Sequence, residues 1–217
     1  MNFKNCPFCN CDKLYILQNN YIKCKNCTKK FSPKKIATEL QIINYFCKNI
    51  NAQQTSKELN LNYKTIHNKY TLFRKLCASY LEKIYQDSSE EESSYEEYYY
   101  FTQREKNKKS KSIYNAVNII GFYSNKMVYT LLMPSLPKTV KEDKDKSFEK
   151  YLQWHKIHSY DNSTSKLKEF WNFLEINIKI YQGVNNNSFF YYLKEFEFKY
   201  NFSKEDQVKI LQKIYLV

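Results

Sequence analysis

The chain has no run of about 18 apolar residues, the length that a membrane span requires, so no transmembrane segment is expected. It opens Met1-Asn2-Phe3-Lys4-Asn5-Cys6 without an apolar leader, and its seven cysteines are an odd number. Both features favour a reducing, cytoplasmic compartment over a secreted disulfide framework, with the cysteines used for metal or packing. Glycine is reduced to two residues, Gly121 and Gly183. That scarcity, beside abundant Lys, Asn, Ile and Tyr, fits AT-rich coding, a bland source for part of a lysine-rich surface. Histidine is equally sparse. His155 and His158 stand three apart, but no cysteine or glutamate at suitable spacing completes a metal site with them. They are read as structural or surface residues.

What is present is positive charge. The formal net charge is +13 over 217 residues, which suits a polyanion partner, most often nucleic acid. It is not uniform, because residues 1–90 hold 15 Lys and Arg against 6 Asp and Glu. The excess therefore sits at the N-terminal end, beside the chain's most specific motif. Cys6-Pro7-Phe8-Cys9 and Cys24-Lys25-Asn26-Cys27 are separated by fourteen residues. Two Cys-x-x-Cys turns at this spacing, joined by a hairpin, form a four-thiolate zinc ribbon. Leu14-Tyr15-Ile16-Leu17 and Tyr21-Ile22-Lys23 read as the hairpin strands around Gln18-Asn19-Asn20. Four thiolates leave zinc no open position, so Cys6, Cys9, Cys24 and Cys27 are expected to hold a structural ion. Cys11 competes for the place of Cys9 but lacks the two-residue gap.

Lys29-Lys30-Phe31-Ser32-Pro33-Lys34-Lys35 is a basic connector. Ser32 and Pro33 form a helix start, with the serine as N-cap. Ile36, Leu40, Ile43, Phe46 and Cys47 then mark one helical face. Residues 51–70 read as helix, turn, helix. Ala52, Thr55 and Leu59 face a core, Asn60-Leu61-Asn62 turns, and Tyr63, Ile66 and Tyr70 face the core again. Lys64, Thr65, His67, Asn68 and Lys69 are the candidate DNA-binding residues of the second helix. Polar residues near such an N-terminus meet bases and phosphates in the major groove of double-stranded DNA. The turn lacks the usual glycine, and Asn60 stands near its place with a tolerance for left-handed backbone.

The helical pattern runs on to Tyr85. The acidic serine-rich run that follows is a linker and a domain boundary. Strands are expected over 95–102, 112–123 and 126–133, the last two joined by a turn at Ser124-Asn125. Helices follow: a short one through Phe148 to Trp154, then one from Leu167 to Tyr181 ended by Gly183, one around Phe189 to Phe196, and one from Asp206 to Tyr215. The fold class is α+β multidomain. The divisions are a zinc ribbon over 1–31, a helix-turn-helix domain over 32–87, an acidic linker over 88–94 and a final domain over 95–217.

This order of parts resembles the insertion-sequence transposases of the IS-fifteen-ninety-five group. The resemblance rests on the two cysteine pairs, Val128-Tyr129-Thr130, Glu169-Phe170-Trp171-Asn172-Phe173-Leu174 and Tyr181-Gln182-Gly183-Val184. The most specific piece is the run Phe189-Phe190-Tyr191-Tyr192-Leu193-Lys194-Glu195-Phe196-Glu197-Phe198-Lys199-Tyr200-Asn201. It implies a ribonuclease-H-like core over 95–217, here shortened, with an Asp-Asp-Glu or Asp-Asp-Asn metal site and DNA recombination as the activity. The catalytic pattern departs from the family. Glu96 and Glu97 stand where aspartate and glutamate belong. Only Asp143 and Asp145 fall in the region of the second acid. Ser163, Ser165 and Lys168 replace the histidine, asparagine and glutamate before the Phe-Trp pair, and Glu175 replaces a lysine after it. Glu169 is offset by one position, about 100° around the helix. The expected function is a transposase-like DNA-binding protein without catalysis. The alternatives are an active transposase using Glu96 or Glu97 with Mg²⁺, and a domesticated DNA-binding regulator. A homo-oligomer is left open.

Overall fold

A computed structural model describes residues 3–87, 94–108, 113–134, 166–181, 184 and 186–216. The runs 88–93 and 109–112 and the segment 135–165 lie outside them. So do the expected short helix at 148–154 and Asp143, Asp145, His155, His158, Ser163, Ser165 and Gly183. The fold is mixed α/β with two three-stranded antiparallel sheets. Among the described residues no helix is long and apolar enough to cross a membrane.

Contacts group the chain into two compact units, 1–79 with 202–217 and 80–201. In the first, β1 (Leu14–Ile16), β2 (Ile22–Cys24) and β3 (Lys30–Phe31) form a meander in that order. Asn19 and Asn20 adopt left-handed backbone in the connection between β1 and β2. The buried side of this sheet joins Cys6, Ile22, Cys24 and Phe31 to Ile36 and Leu216, with Phe8 and Leu40 packed against them.

Helix α1 (Pro33–Cys47) starts as expected, with Ser32 accepting from the Lys35 amide. It ends where Asn49 turns left-handed (φ 59°) and the Ile50 amide returns to the Tyr45 carbonyl. Helix α2 (Ala52–Glu58) is capped by Asn51, whose side chain accepts from the Gln54 amide at 2.9 Å. Asn60, at φ 51°, makes the turn into α3 (Tyr63–Asp87). The Tyr70 hydroxyl ties the pair together: it donates to the Ile50 carbonyl (2.9 Å) and accepts from buried Thr55 (2.8 Å). Phe46 packs edge-on against Tyr70 and Phe73.

The last helix, which the sequence pattern groups with the strands, belongs by contact to this first unit. Tyr215 of that helix (Lys204–Leu216, called α7 below) packs edge-on against Phe73 and donates to Glu39 of α1. Glu39 is buried, and Tyr215 and Lys69 supply the donors that a buried carboxylate needs.

In the second unit β4 (Ser94–Tyr100), β5 (Val117–Ser124) and β6 (Met127–Leu132) form an antiparallel meander in that order. The expected strand over 112–123 begins later, because Ile113–Asn115 is a 3₁₀ turn. The β5–β6 turn is centred one residue beyond Ser124-Asn125. Asn125 and Lys126, at φ 51° and 61°, lie between paired Ser124 and Met127. Two left-handed residues in a two-residue loop make the turn whose twist matches the strands. A short helix, α4 (Gln103–Lys106), capped by Thr102, follows β4.

Two helices cover the sheet, α5 (Lys166–Asn177) and α6 (Asn186–Asn201). Their core includes Tyr98, Ile119, Val128, Leu167, Phe170, Trp171, Leu174, Leu193 and Phe196. Gly121 is required by this packing. A Cβ placed on it would stand 2.6 Å from the Trp171 ring, which lies over the strand and stacks on Tyr98.

Edge strand β6 is closed by side chains of one helix. Asn201 accepts from the Val128 amide (2.8 Å) and donates to its carbonyl (2.7 Å). Glu197 accepts from the Thr130 amide (3.0 Å) and hydroxyl, and Lys194 donates to the Thr130 carbonyl (2.7 Å). Positions 194, 197 and 201 recur on one helical face, and alternate strand residues present their backbone groups to one side. The three side chains thus take the place of a fourth strand.

Candidate metal centre and nucleic-acid interface

Each cysteine pair sits on a tight turn of the same construction. In the first, the Asn10 amide donates to the Cys6 carbonyl and the Cys6 amide to Cys11. In the second, the Cys24 amide donates to Lys29. The residue after each second cysteine, Asn10 or Thr28, is left-handed at φ 58° and 59°. The β1–β2 pairing, Leu14 opposite Cys24, then brings the turns together.

The four Sγ atoms lie within 4.8 Å of one another. Cys6 Sγ is 3.6 Å from Cys27 and Cys9 Sγ 3.5 Å from Cys24, well beyond a disulfide bond of about 2.05 Å. Cys6 and Cys24 are buried. Burial pushes the Cys6 thiol up to about 12, whereas the backbone amide of Cys11 draws Cys9 down to about 6. The competition between Cys9 and Cys11 is resolved geometrically. Cys11 accepts from the Lys13 amide at 3.4 Å and stands outside the cluster. The cluster can hold one metal ion with protein ligands alone.

Among the described residues no second group of Cys, His, Asp and Glu converges in this way. Glu96 and Glu97 are consecutive in β4, so their side chains leave opposite faces of the sheet. Glu96 accepts from the Trp171 indole at 3.1 Å on the α5 side, and Glu97 accepts from Tyr99 at 3.0 Å on the other. Glu175 receives the Tyr98 hydroxyl (2.6 Å) and the Lys106 ammonium. Glu169 pairs with Lys166 on an exposed helix surface. Each of these carboxylates has a local partner.

In α3 the candidate nucleic-acid contacts divide. Ile66 and Tyr70 are buried, and Lys64, Thr65, His67 and Asn68 are exposed on the first turns. Asn62 accepts from the Lys64 amide and caps the helix. Lys69 turns back instead. It pairs with Glu39 at 2.7 Å and donates to Tyr215. Burial works against its charge, but the bonds to Glu39 and Tyr215 outweigh it and hold Lys69 above its ordinary range. Helical spacing alone does not reveal this, because Glu39 and Tyr215 are distant in sequence.

No sequence motif marks the exposed side of the first sheet. There Tyr15, Lys23 and Lys30 stand in one cross-strand row, with Tyr21 beside it. The available signal was the alternation about Ile22 and Cys24, which places Tyr21 and Lys23 together on the outer face. Comparison with protein-family models, with curated proteins and with solved structures gives no match.

Proposed function

We propose that the chain is a zinc-stabilised, transposase-like protein that binds double-stranded DNA and has no strand-transfer chemistry of its own. The observation that carries this is the α2–turn–α3 arrangement: a left-handed Asn60 between short and long helices, with a polar, exposed first turn on the second. Lys64 would meet phosphate, and Thr65, His67 and Asn68 would face the major groove. Lys69 is better assigned to holding α3 against α1 and α7.

Zinc suits the cluster because soft thiolates select it and four-coordination is tetrahedral. A tetrahedron with bonds of about 2.3 Å has edges of about 3.8 Å, close to the observed pairs. The first sheet with its two cysteine turns is then a zinc ribbon. The second unit is read as a shortened ribonuclease-H-like core whose glutamates have become structural. The active-transposase alternative asks Glu96 or Glu97 to hold Mg²⁺, yet Trp171 and Tyr99 already engage them from opposite faces.

The test is fluorescence anisotropy of the full chain with duplex DNA. Lys64→Ala should lower the salt slope of log affinity by about 0.9, and Asn68→Ala should lower affinity for a preferred sequence by about 1–3 kcal/mol. Variants that bind as the parent does would refute this interface. Metal-dependent nicking of duplex ends, abolished by Glu96→Gln, would refute the inactive assignment.

A further inference from the structure

The outer face of the first sheet combines two features that folding alone does not favour. Lys23 and Lys30 are directly opposite each other across β2 and β3. Like charges in that position destabilise a sheet. Neither lysine is ion-paired among the described residues, and the segment 1–31 holds six lysines against a single aspartate, Asp12. Tyr15 continues the row opposite Lys23 and is 51% exposed. Tyr21, the residue before β2 and two from Lys23, is 41% exposed, with the Lys30 ammonium 4.8 Å from its ring centre. Tyr15 and Tyr21 are diagonal neighbours across adjacent strands, a step of about 7–8 Å. The face thus presents two aromatic surfaces separated by that step, flanked by two cations.

We infer that this face is a second nucleic-acid site, one that takes single-stranded DNA. Stacking needs a base face, which a duplex keeps internal and a single strand exposes. Tyrosine rings with adjoining lysines are the combination that holds stacked bases and tracks their phosphates. A bound strand also removes the repulsion between Lys23 and Lys30, which gives that pair a purpose. The single-strand assignment stands on the rings. The choice of DNA over RNA rests on the duplex-binding reading of α3. The site itself does not need that reading.

The test uses the full zinc-loaded chain and labelled oligothymidylate, oligouridylate and duplex DNA, the single strands of about 12 nucleotides. Tyr15→Ala and Tyr21→Ala should each weaken oligothymidylate binding about tenfold and leave duplex affinity within about twofold. Lys23→Gln and Lys30→Gln should each reduce the single-strand salt slope by about 0.7. They should also raise the unfolding midpoint, because the like-charge pair is gone. These lysine variants keep the test sound if a tyrosine variant loses its zinc. No oligothymidylate binding, or binding that both tyrosine variants retain in full, would overturn the site. Equal losses on single strand and duplex would overturn stacking as its basis. Tighter binding of oligouridylate with the same dependence on the tyrosines would overturn the assignment to DNA. Loss of duplex binding in the α3 variants bears on the other interface and not on this one.

Discussion

Thr28 is held at φ 59°, a region that a β-branched residue enters only at a cost. Asn10 holds the matching position in the first cysteine turn at φ 58°, with a residue type that tolerates it. Thr28→Gly should therefore stabilise the metal-loaded first sheet by about 1 kcal/mol and Asn10→Gly by a few tenths, read from urea unfolding of the metal-bound chain. Gly121 presents the opposite case. Its missing side chain is the space that the Trp171 ring occupies, so Gly121→Ala should cost about 1–3 kcal/mol by overpacking. Loss of the near-ultraviolet signal of the tryptophan would accompany it. An unchanged stability would mean that the ring does not lie on the strand. Neither contrast is visible in composition, where the two glycines suggest only coding bias.

At the scale of elements, local signals carry furthest. The cysteine turns, the Ser32-Pro33 start, the α2–α3 pair and the β5–β6 hairpin all follow from chemistry within a few residues, and the sequence shows them. Interactions between distant segments do not appear there. The run Lys194 to Asn201 looks like a family signature, but nothing in its periodicity says that three of its polar side chains replace a strand beside β6. That becomes evident only when Val128 and Thr130 are found opposite them.

Glu197 is 0% exposed, and burial holds its carboxyl above the usual range against the pull of Lys194 and the Thr130 donors. Lys194→Met should destabilise the second unit by about 3–5 kcal/mol, because it strands that carboxylate. Adding Glu197→Leu should recover only part of the loss, since the Thr130 amide and carbonyl then lack partners. Full recovery in urea unfolding would show that the backbone contacts contribute little. Asn201→Ala tests the same edge at Val128 and should cost about 1–3 kcal/mol.

At the scale of the whole molecule, metal and the proposed DNA binding are linked through one unit. The cysteine cluster shares its core with Ile36 of α1 and Leu216 of α7. The same two helices brace α3, through Phe46 against Tyr70 and through Tyr215 against Phe73 and Lys69. The packing that positions Lys64 and Asn68 therefore depends on an ordered first sheet, and a structural metal supplies folding energy directly. The aromatic core of the second unit contains no cysteine ligand, so it should keep its ordered tryptophan environment after chelation. The most direct measurement is duplex affinity on one purified sample, determined with its metal content before and after chelation. The account predicts one zinc per chain, at least a tenfold loss of affinity when it is removed, and recovery when zinc is returned. A protein that carries no metal and binds duplex DNA equally well would contradict it.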